Sequence, residues 1–152
     1  MAITALNPQI LSLLPQAFTL NQPQEGVPNL VEAKLTFDTF DGGDDKDDNT
    51  KLKISLIADY GNGFVLKIAD RGSETYGRFA DGTTNELPPL NVNGTLPLSA
   101  IGNAKLRIEF EPDGDDTWKF HYTLDLKFEN GLVLSKTGRD KQLTDKNRFI
   151  EE

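Results

Sequence analysis

The segment Asp38-Thr39-Phe40-Asp41-Gly42-Gly43-Asp44-Asp45-Lys46-Asp47-Asp48-Asn49-Thr50 holds six aspartates and a single lysine. Carboxylates held together repel by about 1 kcal/mol per pair at 4 Å in water, and by more where water is excluded. Such a loop either spreads into solvent or collects a cation, and an all-oxygen donor set selects a hard one such as calcium. A second acidic turn, Glu111-Pro112-Asp113-Gly114-Asp115-Asp116-Thr117, leads into Trp118 much as the first leads into Leu52. Asp140 and Asp145 lie in a third candidate loop. The candidate metal ligands are Asp41, Asp44, Asp45, Asp47, Asp113, Asp115 and Asp116.

Asp45-Lys46-Asp47-Asp48-Asn49 begins like a helix-loop-helix calcium loop, but the match then fails. Thr50 takes the sixth position, where glycine is required, and Leu56 the twelfth, where a bidentate glutamate is required. The other route to a calcium shell gathers oxygens from two or three loops at one end of a β-domain. Whether the two acidic loops share an end depends on strand parity, because each antiparallel crossing reverses direction. They meet if Thr95 to Leu98 is not a full crossing and lie at opposite ends if it is.

Other chemistries find little support. His121 is the only histidine, and Asp125 sits four residues along the same strand face, roughly 13 Å away and too far for a catalytic pair. With no cysteine and no Gly-x-Ser-x-Gly element, nucleophilic triads and thiolate metal sites lack their residues, and no catalytic role is assigned. Gly42-Gly43 and Gly61-Asn62-Gly63 are followed by neither Lys-Ser/Thr nor a helix, so neither is a phosphate loop. Trp118, Tyr60, Tyr76 and Tyr122 could form a sugar-stacking platform, although Trp118 and Tyr122 share a face with Phe120 and Leu124 and so read as core.

The elements that must position these loops are strands. Val31, Ala33, Leu35 and Phe37 alternate with Glu32, Lys34, Thr36 and Asp38, the period of a half-buried antiparallel strand. Leu52, Ile54, Leu56 and Ala58 repeat it, the Tyr60 to Phe64 turn follows, and Phe64, Leu66 and Ile68 form a third strand. The longest run is Trp118, Phe120, Tyr122, Leu124, Leu126 and Phe128, turned by Asn130-Gly131 into Leu132 and Leu134. Leu106, Ile108 and Phe110 supply another strand, with weaker ones near Thr75 to Phe79 and Thr95 to Leu98. Asp81 to Gly94 reads as a crossover. The expected fold is all-β, an antiparallel two-sheet β-sandwich of seven or eight strands over residues 31–150. Residues 1–30 are expected to form a short helix (Asn7 as N-cap, Pro15 as stop) and a linker.

A chain of 152 residues suits one domain, and its net charge of −8 opposes the phosphate neutralisation that nucleic-acid binding needs. No segment has the apolar length of a membrane span, and the first twenty residues lack the basic start of a secretory signal, so a soluble protein is expected, its compartment open.

Gly43-Asp44-Asp45-Lys46-Asp47 before a Thr-led strand, together with Gly114-Asp115-Asp116-Thr117-Trp118-Lys119-Phe120 and Phe128-Glu129-Asn130-Gly131, resembles the calcium-type β-sandwiches, the C2 and PLAT/LH2 domains. The resemblance covers about residues 31–149. It implies a non-catalytic binding module whose acidic loops bind calcium and order a surface for a protein or lipid partner. Two other readings stand beside it. One is a structural or assembly subunit docking through its N-terminal helix and a sheet edge; the other is a carbohydrate-binding module.

Overall fold

The computed structural model describes residues 26–152. The helix expected near Asn7 to Pro15 lies outside them. Nine strands are present among the described residues: β1 (Leu30–Thr39), β2 (Lys51–Asp59), β3 (Val65–Glu74), β4 (Thr84–Glu86), β5 (Asn91–Val92), β6 (Ala104–Glu111), β7 (Thr117–Phe128), β8 (Val133–Thr144) and β9 (Phe149–Glu151). A short 3-10 helix, Leu98–Asn103, precedes β6. The strands form two antiparallel sheets, ordered β4-β1-β7-β8 and β5-β3-β2-β6-β9.

Alternation decides which faces meet. Ala33, Leu35 and Phe37 of β1 and every second residue of β7 from Trp118 to Phe128 are buried, as are Leu52, Ile54, Leu56 and Ala58 of β2 and Leu106, Ile108 and Phe110 of β6. All belong to one hydrophobic cluster. Each large side chain so buried contributes roughly 1.5–3 kcal/mol. At one end the cluster is aromatic. Trp118 packs edge-on to Phe37 at 4.8 Å and stacks across the sheets on Phe110 at 6.3 Å, and its indole N–H donates to Thr39 Oγ1 at 3.1 Å.

The strand count exceeds the expected seven or eight because β4, β5 and β9 are two- or three-residue edge pairings too short to leave a period in the sequence. Val31 is exposed rather than inward-facing, since the register of β1 on β7 shifts between Leu30 and Glu32 and Leu30 takes its place in the core. Phe64 and Leu66 are exposed too: Phe64 lies in the turn before β3, and Leu66 comes before a register shift of β3 on β2 beyond which Ile68 and Ala69 are both buried. Thr75 to Phe79 is a loop, and Thr95 to Leu98 contributes only an isolated bridge, Asn29 to Pro97, before the 3-10 helix. Asp81 to Gly94 does cross between sheets, leaving β4 on the first and β5 on the second.

That short bridge settles the parity. Lys51 at the start of β2 pairs with Glu111 at the end of β6, and Thr39 at the end of β1 pairs with Phe120 near the start of β7. The β1–β2 and β6–β7 connections therefore leave from the same end of the two sheets.

Candidate functional site at the acidic end

At that end the loops touch directly. Thr50 Oγ1 donates to Asp116 Oδ2 at 2.6 Å, the Asp47 N–H reaches the same oxygen at 3.3 Å, and Asn49 Nδ2 donates to Asp113 Oδ2 at 3.1 Å. Thr50 and Asp116 are both buried.

The centre of the first loop is occupied by Lys46, which is wholly buried. Its Nζ lies 3.0 Å from the carbonyl oxygen of Asp47, 2.8 Å from Thr50, 2.6 Å from Thr75 and 2.7 Å from Gly77. The last two belong to the segment after β3, where Tyr76 (φ 56) and Gly77 (φ 76) adopt consecutive left-handed conformations. Paired backbone bonds join Lys46 to Phe79, N to O at 3.2 Å and O to N at 3.0 Å, and the Phe79 ring lies 4.9 Å from Nζ. Burial lowers the Lys46 ammonium to about 8, against the pull of Asp116, Asp48 and Asp47. It remains charged at neutral pH. A buried charge costs several kcal/mol unless it is surrounded by partners, and here the backbone supplies them.

The expected ligands fall into three groups. Asp44 pairs with Lys119 at 2.9 Å and Asp45 with Arg78 at 2.5 Å, while Asp116 is held by Thr50. Asp41 is exposed beside the Gly82 turn, where neighbouring Asp81 accepts the Gly43 N–H at 2.6 Å. Asp47, Asp113 and Asp115 are exposed at the rim, as is Asp48, and form no ion pair within 4 Å among the described residues. Loss of some of its hydration raises the Asp47 carboxyl above its ordinary value, and repulsion from Asp116, Asp45 and Asp48 adds to this against the pull of Arg78. Among the described residues no three carboxylate or histidine side chains converge closely enough to hold a metal as they stand. Lys46, Arg78 and Lys119 are the cations of this end that pattern reading missed. The only trace in the sequence is that of Lys46, a lone lysine inside an aspartate run.

The remaining candidates lie elsewhere. His121 is half-buried, its Nδ1 accepting the Asp140 N–H at 3.0 Å, and Asp125 bonds Ser135. Asp145 follows β8, where its carbonyl accepts Arg148 Nε at 2.7 Å. Trp118 and Tyr122 are buried in the core, leaving Tyr60 and Phe64 as exposed aromatics of the β2–β3 hairpin tip. No helix among the described residues is long and apolar enough to cross a membrane. No known protein family, curated protein or solved structure matches the chain.

Proposed function

We propose that the chain is a non-catalytic β-sandwich binding module of the calcium type, whose acidic end takes up calcium and offers the resulting surface to a protein or lipid partner. The observation that carries this reading is the meeting of the two acidic loops, through Asn49 with Asp113 and Thr50 with Asp116. Asp47, Asp113 and Asp115 are the proposed ligands, joined by the neighbouring Asp48. Asp44, Asp45 and Asp116 act instead as internal partners of Lys119, Arg78 and Thr50. The donors are all hard oxygens, which suits calcium, but they are fewer than its usual six to eight and do not converge in their present rotamers. Water and side-chain rotation at the exposed rim would have to complete the shell. Calcium would relieve the repulsion that Asp116, Asp45 and Asp48 exert on Asp47, and titration of the full chain with calcium tests the reading.

A second reading, an assembly subunit, is supported by the opposite end. Tyr60, Phe64, Val65, Leu66, Leu132 and Val133 are exposed there, at the tips of the β2–β3 and β7–β8 hairpins. Exposed apolar side chains that form a patch mark protein–protein contacts. The two readings use different ends and are compatible.

A further inference from the structure

An ammonium group has three N–H donors, yet four backbone carbonyls approach Lys46 Nζ within 3.0 Å. One more oxygen is present than directed hydrogen bonding can use, so the shell matches a positive charge rather than three particular bonds. Among the described residues no carboxylate pairs with Lys46 within 4 Å, and Asp116, Asp48 and Asp47 act on it from farther away. Rings of backbone carbonyls are how proteins replace the hydration shell of a monovalent cation. Calcium sites are built differently, with carboxylates and shorter contacts of about 2.3–2.6 Å. The face of Phe79, 4.9 Å away, adds the aromatic contact favoured by ammonium and potassium ions alike.

We propose that this pocket is a monovalent-cation site whose cation is carried by the chain itself, the Lys46 ammonium holding the place that a free ammonium or potassium ion would otherwise take. The tethered ion joins the 46–50 loop to the 75–77 loop, and through Thr50 and Asp116 it also fixes the second acidic loop. Closure of the acidic end then needs no calcium. The inference does not rest on the calcium reading of the rim, and the two fail in different experiments.

Lys46→Ala removes the ammonium while leaving the carbonyl oxygens in place, and Lys46→Met fills the same channel without charge. Melting temperatures of the full-chain wild type and both variants are compared in tetramethylammonium, potassium and ammonium chloride at matched ionic strength. Both variants should melt below wild type in tetramethylammonium chloride. Lys46→Ala should then recover in ammonium or potassium chloride with a saturable, one-site dependence that wild type and Lys46→Met lack. A folded Lys46→Ala that responds to ammonium and potassium no more than wild type does overturns the proposal. Should Lys46→Ala fail to fold, the wild-type protein is read directly by 15N NMR of the lysine ammonium groups. One slowly exchanging Nζ coupled to backbone carbonyl carbons supports the tethered cation, whereas Lys46 protons exchanging as fast as those of the exposed lysines contradict it.

Discussion

Thr50 Oγ1 donates to Asp116 Oδ2 at 2.6 Å, a buried bond between residues 66 apart in sequence that locks one acidic loop to the other. Its partners fix the first prediction. Asp116→Ala leaves the Thr50 hydroxyl and the Asp47 N–H without their acceptor and removes the carboxylate that acts most strongly on Lys46, so a loss of about 2–3 kcal/mol in urea unfolding is expected. Asp116→Asn keeps an acceptor and should lose about 1 kcal/mol. Equal losses in the two variants would show that the hydrogen bonds to this side chain are not what matters.

Arg78 and Lys119 compete with any external cation for Asp45 and Asp44. The Arg78 side chain is largely exposed and its ion pair is screened by solvent, so Arg78→Ala should change stability little, and less at high salt. By freeing Asp45 it should tighten calcium binding several-fold in calorimetry. Unchanged binding in Arg78→Ala would place the ion away from this loop.

Glu152 sets an acid limit on stability. Its carboxylate accepts Tyr122 Oη at 2.6 Å and Lys141 Nζ at 2.7 Å. Burial pushes its carboxyl up, but Lys141 and Tyr122 outweigh burial and hold it below the usual value of 4.5. The folded form is therefore the stronger acid, and its stabilising contribution is complete above about pH 4.5 and disappears as pH falls through the lower folded value. Glu152→Gln should lose about 1 kcal/mol at neutral pH and show a flatter decline in melting temperature below pH 4.5. An unchanged acid profile would mean that other carboxylates set it.

The apolar end has its own test. If it docks on another chain, Phe64→Ser with Leu132→Ser should lower self-association or partner capture by the full chain in sedimentation velocity while leaving its unfolding free energy within about 1 kcal/mol of wild type. Both positions are exposed, so little core packing is lost. Unaltered sedimentation alongside retained partner binding would remove this end from consideration.

Much of the framework was legible because its strands obey a strict period of two. The six alternating residues from Trp118 to Phe128 are all core, as expected from the face they share. Val31 broke the pattern through a bulge, and a one-residue shift in register leaves no mark on composition. The alternation read through Phe64, Leu66 and Ile68 is interrupted by a register shift of β3 on β2, which is equally silent in the sequence. Lys46 was the least readable. A lysine among six aspartates looks like a solvated countercharge, yet its burial depends on carbonyls 29 and 31 residues downstream, presented by a left-handed turn that no local spacing announces.

Calorimetric titration of the full chain with calcium, paired with melting curves in the same buffers, is the most direct test of whether the rim where the two acidic loops meet is a cation-binding surface. The account predicts saturable heat and a raised melting temperature in wild type, both absent from Asp113→Asn with Asp115→Asn. No heat and an unchanged melting temperature for wild type in millimolar calcium would contradict it.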